Sequence, residues 1–256
     1  MRLHCSISML PLVLAIGGCD WMPGKPTKAE EPVVPSEVHA FTTLYTNNCS
    51  GCHGANGQFG PARPINDPLY LSLADDTYLN DITSKGVPHT LMPAFAQSEG
   101  GGLTTDQITD VINGARKTWG GHPVDTGPGA PPPLQSSTKG DPGRGKALFS
   151  TYCSPCHGAD GAGGTVAGSV VDSSFLALAS EQALRSAIIC GRLDLGMPDY
   201  RGQINGQTAP QRADLAPLND QQVSDITSWL LSHRLEFPGA PYPSLEDPPG
   251  SETKTP

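Results

Sequence analysis

The pattern Cys-x-x-Cys-His occurs twice in this 256-residue chain, as Cys49-Ser50-Gly51-Cys52-His53 and, 104 residues later, as Cys153-Ser154-Pro155-Cys156-His157. Two thiols three positions apart can add to the two vinyl groups of one porphyrin while the adjacent histidine turns its imidazole onto the iron. Each copy therefore reads as a c-type haem attachment site. A lone CxxC pair would equally suit thiolate metal binding or thiol-disulfide chemistry. Two copies in matching surroundings argue against that.

The surroundings do match. Leu91-Met92-Pro93 follows the first histidine by 39 residues, and Gly196-Met197-Pro198 follows the second by 40. Each histidine opens a His-Gly-x-x-Gly turn, His53 to Gly57 and His157 to Gly161, and a glycine precedes each Met-Pro, at Gly86 and Gly191. On these residues the chain resembles the class I cytochrome c family, over roughly 36–122 and 139–236. The resemblance implies an all-α fold of two tandem haem domains and two covalently bound haem c groups. Cys49, Cys52, Cys153 and Cys156 would carry the thioether links, with His53 and Met92 on one iron and His157 and Met197 on the other.

Of the five methionines, Met1, Met9 and Met22 lie in the N-terminal segment, so each unit has one candidate. Thioether is a soft neutral donor, and Met/His ligation raises the reduction potential. Pro93 and Pro198 remove a backbone donor and stop helix, which suits a stiff loop. His39, His89, His122 and His233 have no motif around them, and only His89 is near enough in sequence to compete with Met92. Family members commonly fix the proximal histidine through a hydrogen bond to a proline carbonyl soon after the haem motif. Pro61 suits that role. Thr165 occupies the corresponding place in the second unit and leaves the contact there open.

Cys190 aligns with Lys85, seven residues before the methionine in both units. Dihaem enzymes acting on sulfur compounds use Cys/His ligation, so this thiol is a candidate for a catalytic reading, although a free cysteine is more often a small buried hydrophobe.

At the N-terminus Arg2 precedes an apolar run, Ile7 to Ile16, that is too short to span a bilayer and ends in Gly17-Gly18-Cys19. This resembles a bacterial lipoprotein signal (1–18), with Cys19 acylated and the chain anchored on the periplasmic side, the inner membrane favoured by Asp20. Prolines at 23, 26, 32 and 35 make 19–35 a tether. A Pro/Gly-rich linker (120–142) separates the first haem domain (36–119) from the second (143–236), and a Pro-rich tail (237–256) follows. Units this small rely on the porphyrin to complete their cores.

A helix is expected from Val38 to Asn48 and another from Gly143 to Tyr152. Phe41 and Tyr45 align under the repeat offset with Gly145 and Phe149, one small and one aromatic residue suiting a close crossing with each unit's last helix. Thr104 with Gln107, and Asn219 with Gln222, mark the starts of those last helices as capping boxes. The second unit also carries an insertion, about 201–216, that could dock a partner or simply be tolerated.

Without Arg2 the net charge is −10, which argues against nucleic-acid binding and suits redox partners with basic faces. The expected activity is single-electron transfer between membrane respiratory or photosynthetic complexes and periplasmic or membrane redox partners, possibly as a subunit of such a complex. The alternative is a dihaem enzyme, peroxidase-like or thiosulfate-oxidising, with one exchangeable distal ligand.

Overall fold

The computed structural model describes residues 32–88, 90–120 and 129–235. The signal segment, Cys19, most of the tether, His89, His122 and the tail lie outside the described residues.

Each half runs through the same five helices. In the first these are α1 (Phe41–Asn48), α2 (Ser50–His53), α3 (Pro68–Leu73), α4 (Asp76–Lys85) and α5 (Thr105–Trp119). The second has α6 (Pro142–Tyr152), α7 (Ser154–His157), α8 (Ser173–Leu178), α9 (Glu181–Cys190) and α10 (Asp220–Leu231). A two-stranded ribbon, β1 (Gln203–Ile204) with β2 (Gln207–Thr208), lies in the insertion. Asn205 and Gly206, both at positive φ, make its two-residue turn.

Local chemistry sets the helix ends. Asp67, Asp75, Asp141, Asp172 and Ser180 each accept a backbone N–H of the first helical turn, and both expected capping boxes form. The first helix begins three residues later than expected. Val38 lies outside it, and its carbonyl accepts from Nε2 of the buried Gln107 at 3.0 Å. An arginine near the end of each half caps a short helix: Arg116 binds the carbonyls of Leu71 and Ala74, and Arg234 those of Leu176 and Ala179.

In both halves the first helix crosses the last, and the small residue at the crossing changes sides. In the second half Gly145 is the small partner: a Cβ there would fall 2.0 Å from the Asp225 carbonyl oxygen and 2.7 Å from the Trp229 Cβ. In the first half Phe41 stands in that register, and the room comes from Gly114, where a Cβ would lie 2.2 Å from the Phe41 ring. Counted from the capping residues Thr104 and Asn219, Gly114 aligns with Trp229. Glycine and aromatic are thus exchanged between the two helices of the pair.

The two halves share one continuous apolar core, from Leu44 and Tyr70 through Leu176 and Cys190 to Leu230, and the described residues from Val38 onward cluster as one body. The end of the linker is part of it. Leu134 is buried, its carbonyl accepts from Gln182 and Arg185, and the Gly129 carbonyl accepts from the Tyr200 hydroxyl. Residues 129–135 are therefore a packed strap, not the plain spacer that a Pro/Gly-rich composition suggests.

Candidate haem sites

The two Cys-x-x-Cys-His motifs have the same geometry. The first helix ends at Cys49 or Cys153, and a one-turn helix carries the second cysteine and the histidine. The next residue, Gly54 or Gly158, turns the chain at φ 81° or 78°. In the first unit the Tyr45 hydroxyl donates to the Gly54 carbonyl at 2.6 Å, tying helix to turn.

Both histidines are oriented from behind. His53 Nδ1 lies 2.8 Å from the Arg63 carbonyl oxygen, and His157 Nδ1 lies 3.0 Å from that of Gly168. A carbonyl only accepts, so Nδ1 carries the proton in each ring and Nε2 keeps its lone pair for a metal. The acceptor expected from sequence in the first unit, Pro61, is replaced by a residue two positions on, and the contact left open at Thr165 is made by Gly168. The bond survives because it needs a carbonyl at the right place and not a proline. Burial also lowers the pKa of His53, which favours the neutral ring.

Burial pushes the Cys49 thiol up to about 11 and Cys153 up to about 12, with the neighbouring Cys52 adding to the first. A reactive or zinc-binding CxxC needs thiolate, which burial disfavours at Cys49 and Cys153. Among the described residues no three His, Cys, Asp or Glu side chains are grouped to hold a metal ion.

Each methionine heads a loop clamped against the helix before it. Gly86 (φ 73°, ψ −171°) and Gly191 (φ 73°, ψ −171°) occupy a backbone region essentially closed to other residues. A Cβ at Gly86 would lie 2.6 Å from the Met92 carbonyl oxygen, and one at Gly191 2.5 Å from that of Met197. The next residue then binds the methionine carbonyl, Val87 N–H at 3.1 Å and Arg192 N–H at 3.1 Å. Farther on, Phe95 and Tyr200 N–H groups return to the carbonyls of Thr83 and Ile189. Met92 and Met197 are half-buried.

Haem c fits the residues present. Besides the paired thiols and proton-fixed histidines, buried guanidinium nitrogens stand without hydrogen bonds: Nη1 and Nη2 of Arg63, which lies over the Tyr70 ring, and Nε of Arg212. The nearest acid to the first is Asp67, 3.9 Å away. Such nitrogens suit the carboxylates that a haem carries.

Of the other candidates, His39 pairs with Asp110 on the surface at 2.6 Å, and His233 donates to the Trp229 carbonyl while its ring stands edge-on to that indole. Cys190 is fully buried, and burial raises its thiol to about 12, with Arg63 beside it partly opposing the rise. Its neighbours Arg63, Asp67 and Tyr70 belong to the first unit. The insertion folds back on its own unit: Asp199 holds Arg201 and the Gln203 N–H, and Arg212 reaches the Tyr200 carbonyl over the Tyr152 ring.

The seam between the units was not legible in the sequence. Its one faint trace is that Cys190 stands where the first unit has Lys85.

A family model described as Cytochrome c matches residues 143–234, and one described as Cytochrome C oxidase, cbb3-type, subunit III matches residues 36–113. The "Cbb3-type cytochrome c oxidase subunit CcoP" of Azospirillum sp. (strain B510) is 29% identical over 144 residues, 49% of this chain and 41% of that protein. The chain thus matches about two fifths of that relative's length. Among solved structures, the Kuenenia stuttgartiensis reducing HAO-like protein complex Kustc0457/Kustc0458 is 16% identical, with 80% of this chain and 100% of that chain covered and a TM-score of 0.42. The thiosulfate dehydrogenase (TsdBA) of Marichromatium purpuratum is also 16% identical, with 81% and 48% covered and a TM-score of 0.28. At those TM-scores neither superposition carries weight.

Proposed function

We propose that this chain, which belongs to the c-type cytochromes and carries two cytochrome c domains, is a dihaem electron-transfer module. Cys49 and Cys52 would hold one haem, with His53 and Met92 as the ligands to its iron. Cys153 and Cys156 would hold the second, with His157 and Met197. The observation that carries this reading is the duplicated pairing of a proton-fixed histidine with a glycine-clamped methionine loop.

When bound, haem c supplies an iron that takes up or gives up one electron. The chain's own residues keep that exchange cheap in reorganisation. The Arg63 and Gly168 carbonyls hold the Nδ1 protons and so fix the imidazole planes. Gly86 and Gly191 let the methionine loops close on their helices, so the sulfur is placed by the main chain. Arg63, beside Asp67, and Arg212 offer nitrogens without hydrogen bonds to anionic groups of the cofactor.

The reading extends to a periplasmic module held at the membrane by acylated Cys19, passing electrons within or beside a respiratory oxidase complex. The similarity to an oxidase subunit supports the partner class. None of the described helices is long and apolar enough to cross a membrane; the proposed lipid attachment rests on the lipoprotein-like Gly17-Gly18-Cys19.

Optical and EPR spectra of the oxidised, haem-loaded protein test the proposal, with Met92→Ala and Met197→Ala prepared separately. Two low-spin haems are expected, each variant removing half of the sulfur-to-iron charge-transfer band. A high-spin, bis-histidine or thiolate-ligated haem in the unsubstituted protein would refute it and favour an enzyme with an exchangeable ligand.

A further inference from the structure

The loop that carries Met197 is bound to the first unit. Asp194 Oδ2 accepts from the Phe59 N–H at 3.1 Å, 135 residues away in sequence. Arg192 closes a fork on the same carboxylate, Nε to Oδ1 at 3.0 Å and Nη2 to Oδ2 at 2.9 Å, and Nη2 also points at the Gly60 carbonyl at 3.5 Å. The Asp194 side chain is only 1% exposed, so a charged group is enclosed here and satisfied from both units.

Each end of this contact leads to a haem motif. Gly60 lies against the attachment turn, where a Cβ would fall 2.2 Å from the Cys52 carbonyl oxygen. The Arg192 backbone pairs with Met197 in both directions, at 3.1 and 3.0 Å. Phe59 meets Asp194 at φ 64°, a conformation that a bulky residue rarely adopts. In the first unit's methionine loop the corresponding residues are Val87 and His89, so the repeat does not supply this fork twice.

We propose that Arg192 and Asp194 form a clasp through which the first unit positions the Met197 loop, making the firmness of the second unit's methionine depend on the docked first unit. Asp194 is a positioning residue, since it acts through the main chain of Arg192 and Met197. The spectroscopic part of the test rests on Met197 being an iron ligand; the clasp itself does not.

The test is stopped-flow imidazole binding to the oxidised, haem-loaded protein in a Met92→Ala background, where the first iron responds in the burst and the slower phase reports methionine release from the second. Asp194→Ala should speed the slow phase at least fivefold, and Asp194→Asn, which keeps an acceptor for Phe59, should do so by less. Arg144→Ala, which loosens the second unit at the α6–α10 pair, should lower stability and leave the slow phase within twofold. A slow phase unchanged within twofold in Asp194→Ala would overturn the proposal. Phe59 amide exchange separates the two readings. If the protein with both methionines intact lacks sulfur ligation at the second iron, the ligation reading fails. The clasp then stands only if the Phe59 amide is protected and exchanges at least tenfold faster in Asp194→Ala, and falls if exchange is unchanged.

Discussion

Gly145→Ala sets two rules of helix stability against each other. On an isolated helix the change gains about 1 kcal/mol of propensity. In this structure the new methyl would lie 2.0 Å from the Asp225 carbonyl oxygen, 2.6 Å from its carbon and 2.7 Å from the Trp229 Cβ. Two of these three atoms are backbone and the third is the root of a side chain, so no rotamer change relieves the overlap and α10 must move away from α6. Overpacking of a close-packed contact costs about 1–3 kcal/mol, and a rigid contact belongs at the upper end. Subtracting the propensity gain leaves a net loss of about 2 kcal/mol. With an m-value of roughly 4 kcal/mol/M, the guanidinium midpoint of the haem-loaded protein, followed by circular dichroism, should fall by about 0.5 M. The first unit supplies the rescue: Gly145→Phe with Trp229→Gly recreates its Phe41/Gly114 arrangement, and the pair should show a favourable coupling above about 1 kcal/mol. A neutral or stabilising Gly145→Ala, or strictly additive effects in the pair, would refute the close crossing.

Gly191→Ala should weaken the sulfur-to-iron band of the second haem, because the new methyl meets the Met197 carbonyl at 2.5 Å and the backbone strain alone costs about 1–3 kcal/mol; Gly86→Ala should do the same to the first haem. Arg144 grips Asp225 through Nε and Nη2 at 2.8 Å each and holds its carboxyl below the usual carboxylate range. A depressed carboxylate contributes stability in full above its unfolded pKa of about 3.9 and loses it as pH falls through the folded value. Asp225→Asn should therefore cost about 1–2 kcal/mol at pH 7, kept modest because Arg144 is largely exposed, and flatten the acid limb of an unfolding-versus-pH profile. Cys190→Ala should leave both haem spectra unchanged, whereas Cys190→Lys buries an ammonium beside Arg63 and should destabilise by several kcal/mol or separate the units, read as lost Phe59 amide protection.

What was legible in the sequence was whatever depends on neighbours in the chain. A thiol pair with a histidine beside it, a capping residue three before a glutamine, and a glycine before a Met-Pro all have their partners within a few turns, and the structure shows the motif turns, both capping boxes and the clamped loops. The proximal hydrogen bond was legible in kind but misplaced, because it fixes a carbonyl in space and any residue can supply one; hence Arg63 and Gly168, where Pro61 was expected and Thr165 left open. The strap was misread because proline and glycine forbid regular structure without forbidding burial, and Leu134 with two carbonyl-bound side chains is enough to hold it down. The glycine exchange at the helix crossings needed both helices at once: Phe41 in a glycine's register makes sense only with Gly114 opposite.

The seam follows a different logic, because it needs both units at once. Matched positions of α4 and α9 differ throughout, Leu79 and Leu184 excepted, so a difference between the copies carries no message by itself. Yet Lys85, with its side chain 62% exposed and paired with Asp81, becomes a fully buried Cys190, and Val87 becomes Arg192 with its guanidinium turned across the seam. These changes fall on the last turn of α9 and the loop beyond it, the segment that meets Phe59, Gly60 and Arg63. A long flexible side chain has been replaced by a small apolar one where the first unit presses on the helix, and a charged fork has been added where the two backbones can share it. Two of the differences between the copies thus fall where one unit has the other as a neighbour. That neighbour is the attachment turn of the first haem motif, placed against the loop that carries the methionine of the second.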